Sequence, residues 1–167
     1  GAIAETRDNG TGNHIRRTRA YVRTLVEYLL QQPAQLERMP IEEWELIWKC
    51  APLHDIGKVG IPDQILLKEG PLDVGEFEIM KRHTTLGRDA LREAECGGDT
   101  QHPFLRIASE IIYSHHERWN GKGYPEGLSG ENIPFAARLM AIADVYDALI
   151  SRRVYKPAMP HHKAVEI

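Results

Sequence analysis

The stretch PFAARLMAIADVYDALI occupies residues 134–150 and predicts one long helix. Pro134 suits the first turn, and apolar side chains then recur at helical spacing as far as Ile150. Asp144 lies midway, and its neighbours three and four positions away are mostly small or apolar. We therefore expect the Asp144 carboxylate to be buried. An isolated buried charge costs several kcal/mol, so this group must be paired, protonated or bound to a metal ion.

The same spacing recurs on both sides of this stretch. It predicts helices over residues 13–32, from 41 to about 54, from 73 through 83 towards 91, from 103 to 116, and for about two turns from 160. Asp73 and Glu76 have the spacing of a capping box at a helix start. No segment alternates convincingly with a period of two. We predict an all-α fold, built as a helical bundle.

The chain has 167 residues, which fits one domain over 1–167. Its formal net charge of −3 offers no diffuse basic field, so we expect no nucleic acid polymer as a partner. Charged residues interrupt the longest apolar stretch and no leader opens the chain, so we expect no membrane span and a cytoplasmic location. The abrupt start and short last helix indicate a domain excised from a longer chain and truncated at its C-terminus.

Several of the eight histidines lie, with carboxylates, near the ends or on the core faces of separate predicted helices. A single such histidine is more often a core residue bonded to a carbonyl than a ligand. As a set they favour a dinuclear metal site, because bundles build such sites from inward histidine and carboxylate residues. The set comprises His54, Asp55, His83, His115, His116 and Asp144. Imidazole and carboxylate without thiolate suit Fe, Mn, Ni, Co or Zn better than Mg or Ca.

A long connection over residues 117–133 follows the paired histidines. Connections of this length are usually functional, and Trp119 and Tyr124 are interleaved with glycines in it. Since bases stack on aromatic faces, we predict a substrate platform, with an ordinary flexible loop as the alternative. Farther along, Arg153 and Lys156 belong to a small basic cluster. It predicts a phosphate clamp, although a solvated helix end explains it almost as well.

Five motifs follow one another along the chain. They are His54-Asp55-Ile56-Gly57-Lys58, His83, His115-His116-Glu117, Asn120-Gly121-Lys122-Gly123-Tyr124-Pro125 and Asp144. In this order they resemble the HD-GYP family of the HD phosphohydrolase superfamily, over nearly the whole chain. The resemblance implies an HD-domain helical bundle. It also implies a metal-dependent phosphodiesterase that opens cyclic di-GMP to linear pGpG and sometimes continues to GMP.

The resemblance further implies a metal centre of two or three ions. The residues that match the family's ligands are His54, Asp55, His83, His115, His116 and Asp144. The Asp55 carboxylate would bridge two ions, and His14 matches an early histidine of the family. Two ions about 3.5–4 Å apart can activate a water for in-line attack on phosphorus, which gives the centre its catalytic role.

Other matches concern the substrate. Lys58 matches the lysine after the His-Asp pair, and we assign it to phosphate neutralisation or to steadying the leaving oxygen. Lys58 and the bridging Asp55 are the predicted catalytic residues. Arg153 and Lys156 match a phosphate-binding pair of the family. Tyr124 matches the tyrosine of the signature loop, and we expect it to support the guanines together with Trp119. Family members commonly follow a receiver or sensory domain, which we expect in the full chain, and a dimer is a further expectation.

One position departs from the family pattern. Members with three metal ions carry a glutamate four residues before the early histidine, where this chain has Gly10. Glycine offers no ligand, so we predict two divalent ions, with His14 as a weak ligand or one step removed from the metal. Glu5 lies nine residues from His14 and is not expected to substitute. The departure leaves open whether cyclic di-GMP or pGpG is preferred.

Three other functions stay open at this point. A hydrolase of a different nucleotide is one, although the Gly123-Tyr124-Pro125 loop argues against it. A signalling module that binds a cyclic dinucleotide or a protein without turnover is another, and only Gly10 supports it. A purely structural domain would need six buried polar residues to be satisfied internally, because each buried polar group needs a partner.

Overall fold

Helices make up nearly all of the regular structure in the computed structural model, which describes residues 11–94, 102–151 and 158–167. The helices are α1 (Thr11–Leu29), α2 (Pro33–Leu36), α3 (Ile41–Cys50), α4 (Asp63–Leu66), α5 (Val74–Lys81), α6 (His83–Ala94), α7 (Pro103–Ser114), α8 (Phe135–Ile150) and α9 (His161–Ala164). Short 3-10 turns span Ala51–Leu53, Ile56–Gly60 and Gly130–Asn132. Pairing of β type in these ranges is limited to an isolated bridge between Asn120 and Ser129. The all-α prediction is confirmed.

The hydrophobic core lies where α1, α3, α7 and α8 pack on one another. Each of these four helices contributes one apolar face to the core. The buried side chains are Val22 and Val26 of α1, Trp44, Ile47 and Cys50 of α3, Ile107, Ala108, Ile111 and Ile112 of α7, and Ala136, Leu139, Met140 and Ala143 of α8. Burial of one large aliphatic side chain contributes about 1.5–3 kcal/mol, so this cluster fixes the relative positions of the four helices.

The helix predicted from Asp73 towards Leu91 is two helices, so that prediction was wrong in its continuity. The capping box at its start is confirmed: the Glu76 N–H donates to Asp73 Oδ1, and the Asp73 N–H to Glu76 Oε2, each at 2.8 Å. α5 ends at Lys81 and α6 begins at His83. The His83 imidazole lies with Nδ1 2.7 Å from the Met80 carbonyl oxygen, which gives this carbonyl an alternative to continued helical bonding.

Helix α8 matches the helix predicted over residues 134–150, and Pro134 directly precedes its first residue. Helix α9 begins after Pro160 as predicted but covers only His161–Ala164, one turn rather than about two. In the three described ranges, no helix is both long and apolar enough to cross a lipid bilayer.

The 3-10 turn Ile56–Gly60 packs against α6 at two glycines. A Cβ on Gly57 would lie 1.9 Å from the carbonyl oxygen of His83 and 2.5 Å from the backbone nitrogen of Gly87. On the other side, a Cβ on Gly87 would lie 2.7 Å from Cγ2 of Ile112 in α7. These contacts are backbone to backbone at Gly57, so no side-chain rotation can relieve them. Only glycine lets the turn approach α6 this closely.

We expect Gly57→Ala to lower the free energy of unfolding by about 3 kcal/mol or more, because the added methyl group must push α6 away from the turn. Chemical unfolding in urea measures the change. Gly75→Ala is a matched control, since a Cβ there meets only Asp73 Oδ1 at 3.4 Å, an ordinary contact. It should change stability by no more than about 1 kcal/mol. Equal stability of the two variants would contradict the close approach.

Candidate metal centre

The His54-Asp55 pair lies at the junction of two 3-10 turns. His54 directly follows the turn Ala51–Leu53, and Asp55 directly precedes the turn Ile56–Gly60. The first turn continues α3, and the second is held against α6. Both side chains are buried, with 1% of His54 and 9% of Asp55 exposed. The chain therefore brings an imidazole and a carboxylate together in the interior without a regular helix to hold them.

Asp55 lies at the centre of a first group of possible metal ligands, with His83, His115 and His116. One ligand atom from each lies within 4.8 Å of the others. Asp55 Oδ1 is 3.4 Å from His83 Nε2 and 3.8 Å from His115 Nε2. His83 comes from the start of α6, and His115 and His116 directly follow α7. Three separate elements thus meet at one carboxylate.

The orientation of three of these imidazoles is fixed by the backbone. Nδ1 lies 2.9 Å from the Ala51 carbonyl oxygen in His54, 2.7 Å from that of Met80 in His83, and 3.0 Å from that of Ile111 in His115. A carbonyl oxygen only accepts, so each Nδ1 carries a proton and donates it. Each Nε2 is then left with a lone pair, the form in which imidazole binds metal ions.

The Nε2 atoms of His54, His83 and His115 are buried and have no hydrogen-bond partner in the described part of the chain. A buried polar atom without a partner costs about 1–3 kcal/mol, and here three of them face the same carboxylate. Lone pairs of nitrogen and oxygen repel one another at such distances unless a cation lies among them. The donor set, neutral imidazole with carboxylate, is one that divalent transition metals prefer. The residues therefore fit a metal centre.

The electrostatics of the first group favour the forms that bind metal. Burial, with the neighbouring imidazole of His83, lowers the pKa of His116 to about 3. Burial likewise lowers the pKa of His83 and takes that of His115 well below its ordinary value. Burial alone would raise the pKa of Asp55, but His54 and Lys58 hold it well below its usual range. In this group the shifts favour the neutral form of His83, His115 and His116 and the ionised form of Asp55, as coordination requires.

A second group consists of His14, His54 and Asp144, again with ligand atoms within 4.8 Å of one another. His14 lies on α1 and Asp144 on α8, and His14 Nε2 is 3.5 Å from Asp144 Oδ1. His54 Nε2 also lies 3.3 Å from Asp55 Oδ2, so the His54-Asp55 pair joins the two groups. Burial lowers the pKa of His54, but the carboxylates of Asp55 and Asp144 raise it by more.

The burial expected for Asp144 belongs instead to Asp147, one turn later in α8. The Asp144 side chain is 22% exposed, whereas that of Asp147 is 2% exposed. Asp147 Oδ2 lies 2.8 Å from His14 Nδ1, and its carboxylate also accepts from Arg17 at 2.6 and 2.9 Å. Sequence reasoning missed Asp147 and Arg17. The signal was present, because His14 and Arg17, like Asp144 and Asp147, are three residues apart on a helix.

Lys58 forms an ion pair with Asp55. Its Nζ donates to Asp55 Oδ2 at 2.7 Å, and its side chain is 27% exposed. Lys58 lies in the 3-10 turn Ile56–Gly60, so the turn that directly follows Asp55 also supplies a cation to that carboxylate. A positive charge in this position can meet an anionic substrate as well as Asp55.

The loop over residues 117–133 is anchored by a buried carboxylate that sequence reasoning did not single out. Glu117 is 4% exposed, and its Oε1 accepts from the backbone N–H groups of Glu126 at 2.8 Å and Gly127 at 3.1 Å. The loop also packs closely on itself, since a Cβ on Gly123 would lie 2.4 Å from Glu117 Cα. The alternative of an ordinary flexible loop does not fit these contacts.

The loop places one predicted aromatic against the ligands and the other in solvent. The Tyr124 ring stacks on the His116 ring, with 4.7 Å between centroids and 28° between planes, and burial raises the pKa of the Tyr124 phenol. Trp119 is 64% exposed, with the Arg138 guanidinium 5.9 Å from its ring. The predicted phosphate-binding residues Arg153 and Lys156, and the departure at Gly10, lie outside the described residues.

Comparisons with known proteins agree with this arrangement. The chain is 55% identical over 99% of its length to a cyclic di-GMP phosphodiesterase of Vibrio cholerae, and covers 34% of that protein. It is 43% identical over 92% of its length to the cyclic di-GMP phosphodiesterase response regulator RpfG of Xanthomonas campestris, covering 37% of it. It is also 40% identical over 91% of its length to a 3'3'-cGAMP-specific phosphodiesterase of Vibrio cholerae, covering 26% of it.

The chain thus spans about a third of the length of the curated relatives it matches. A family model described as HD domain matches residues 2–167. The His54-Asp55 and His115-His116 pairs belong to the two ligand groups, and Tyr124 of the Gly123-Tyr124-Pro125 loop stacks on His116. The chain belongs to the HD domain family, and these motifs make it a member of the HD-GYP family within it.

Proposed function

We propose that this domain is a phosphodiesterase that hydrolyses cyclic di-GMP to linear pGpG. The observation that carries the proposal is the convergence of three buried, unpartnered imidazole Nε2 atoms on the Asp55 carboxylate. The names of the Vibrio cholerae and Xanthomonas campestris relatives support the substrate. Onward hydrolysis of pGpG to GMP belongs to the same proposal.

The two ligand groups would hold two divalent ions, drawn from Fe, Mn, Ni, Co or Zn. Asp55, His83, His115 and His116 would hold one, and His14, His54 and Asp144 the other, with the Asp55 carboxylate shared between them. Such a pair of ions activates water and stabilises the charge that develops on a phosphodiester during in-line displacement. Gly10, which cannot supply a ligand, supports two ions rather than three.

Lys58 would serve the scissile phosphate. Its ammonium group is held 2.7 Å from Asp55 and is part-exposed, so it can reorient towards a phosphate oxygen without leaving the site. Hydrolysis breaks the bond between phosphorus and the 3′ oxygen, and that oxygen must gain a proton. We assign that proton to the Nζ of Lys58, which donates to the Asp55 carboxylate beside the proposed ions. Asp55 and Lys58 together account for the catalytic roles.

Trp119 and Tyr124 would support the guanine bases. Tyr124 lies directly beside His116 and would bound the site, whereas Trp119 offers a free face for stacking. Arg153 and Lys156 remain proposed for the scissile or the second phosphate. A receiver or sensory domain elsewhere in the full chain is proposed from the share of the relatives that this domain leaves uncovered and from the response regulator named above. A dimer and a cytoplasmic location stay predictions.

The direct test incubates the purified domain, loaded with Mn or Fe, with cyclic di-GMP, pGpG and 3'3'-cGAMP side by side. We expect chromatography to show pGpG formed from cyclic di-GMP. Turnover of 3'3'-cGAMP alone would redirect the substrate assignment towards that of another relative. Binding of cyclic di-GMP by calorimetry with no product from any nucleotide would reject the enzyme in favour of a binding module.

We expect Asp55→Asn to abolish turnover and metal retention together, because it removes the charge that both ligand groups share. The loss should exceed the roughly 10–100-fold typical of an outer partner of a metal ligand. Elemental analysis and product formation give the two readouts. Asp89→Asn is the matched control, since Asp89 is 55% exposed and pairs with Arg88, away from both ligand groups. Retained activity in Asp55→Asn would rule out the shared carboxylate.

The number of ions is a separate prediction. Fully loaded protein should contain two metal ions per chain by elemental analysis, because Gly10 has no side chain that could help to hold a third. Extensive dialysis against a chelator should remove both, and turnover should return when Mn or Fe is added. Three ions per chain at full occupancy would overturn the interpretation of Gly10.

We expect Trp119→Ala to raise KM for cyclic di-GMP about tenfold or more, since loss of one base-stacking partner costs about 1–3 kcal/mol. The kcat value and the metal content should stay within about twofold, because Trp119 belongs to neither group of metal-binding residues. Steady-state kinetics measures both constants. Tyr28→Ala is the matched control, because Tyr28 is a similarly exposed aromatic, 61% exposed, at the end of α1 far from His14. It should leave KM unchanged. An unchanged KM in Trp119→Ala would exclude stacking on this ring.

A further inference from the structure

Asp147 makes an ion pair that links α1 to α8 beside the second ligand group. Its side chain is 2% exposed, and Arg17 approaches it with two donors, Nε at 2.6 Å from Oδ1 and Nη2 at 2.9 Å from Oδ2. Arg17 Nη2 also donates to the Ser151 hydroxyl at 3.0 Å. Such a two-point contact fixes the plane of the carboxylate as well as its position.

The same carboxylate reaches one of the proposed ligands. Asp147 Oδ2 lies 2.8 Å from His14 Nδ1, while the other nitrogen of that ring, Nε2, faces Asp144 Oδ1 at 3.5 Å. Oδ2 therefore accepts both from Arg17 and from His14. Since an ionised carboxylate can only accept, the proton of the His14 ring must lie on Nδ1. Nε2 keeps its lone pair on the side of His54 and Asp144.

We propose that Asp147, clamped by Arg17, is a positioning residue that fixes the tautomer and orientation of His14 and thereby sets the affinity of the second metal position. The inference rests on the proposed two-metal centre but not on the identity of the substrate. It gives a role to Arg17 and Asp147, which belong neither to the sequence motifs nor to the two ligand groups.

The two metal positions are built differently in this respect. In the first group the imidazoles of His83 and His115 donate to backbone carbonyls, and both are at most 1% exposed. In the second group His14 is 15% exposed and donates to a carboxylate instead. A carboxylate partner makes the imidazole a stronger ligand, which compensates for the more solvated position. Loading of the second position should therefore depend on side chains that a point substitution can alter.

Asp147→Asn separates this role from simple packing, because it keeps the size and shape of the side chain. Arg17 reaches both carboxylate oxygens, and His14 Nδ1 shares one of them, so either orientation of the new amide places its NH2 group against an Arg17 donor. The variant therefore loses both the charge and the two-point contact that hold the His14 proton on Nδ1 and the ring in place. We expect the affinity for the second ion to fall roughly 10–100-fold, with that for the first unchanged.

The measurement is equilibrium dialysis of metal-free protein against Mn, followed by elemental analysis, with visible absorption of the Co-loaded protein as a second readout of ligand geometry. His14→Gln should lose the same ion, and the double variant His14→Gln with Asp147→Asn should lose no more than His14→Gln alone. Arg17→Lys, which keeps the charge but not the two-point contact, should weaken the second ion by a smaller factor. Arg23→Gln is the matched control, since Arg23 forms an exposed pair with Glu27 on the same helix.

The proposal would be overturned if Asp147→Asn bound both ions with the same affinities as the wild-type protein. Equal weakening of both ions, or a further loss in the double variant, would also overturn it, because either result means that Asp147 acts through the packing of α1 on α8 and not through His14. None of these readouts needs a nucleotide. Wild-type protein that holds two ions but cleaves no cyclic dinucleotide would defeat the proposed function and leave this inference standing.

Discussion

Three buried imidazoles that give their Nδ1 protons to backbone carbonyls impose the constraint on which the centre depends. Once those protons are committed, the Nε2 lone pairs can point only inward, towards one carboxylate. Helical carbonyls near the ends of α3, α5 and α7 supply the acceptors, so backbone geometry decides the direction of each ring. The packed helices thus place nitrogen lone pairs against a buried carboxylate, and these groups repel one another unless a cation lies between them.

The rest of the fold serves to bring these ends together. The core of α1, α3, α7 and α8 sets where α3 and α7 stop, and the two 3-10 turns after α3 carry the His54-Asp55 pair between them. The pairing of Arg17 with Asp147 lies outside that hydrophobic cluster and links α1 to α8 by charge. Core packing thus positions the first ligand group, and a part-buried ion pair completes the second.

Much of this was accessible from the sequence, because apolar spacing predicts α1, α7 and α8, and the combination of motifs predicts all seven residues of the two groups of possible ligands. Spacing could not show the break at Arg82, since helical periodicity continues across it. Nor could it distinguish Asp144 from Asp147 as the buried carboxylate: both have small neighbours, and helix rotation is set by tertiary contacts. Glu117 gave no periodic signal, because a single acidic residue in a loop looks the same whether it bonds to water or to backbone N–H groups.

The contact between Gly57 and α6 means that the same backbone packing stabilises the fold and positions His83. The His83 carbonyl lies where a side chain at position 57 would begin. Any larger residue at position 57 must therefore displace α6, which begins at His83. Compensation at position 87 cannot help, since Gly87 has no atoms left to remove. Substitutions in the loop, on the surface and in the outer helices leave this contact intact. A larger residue at position 57 would move His83 away from the other members of the first ligand group.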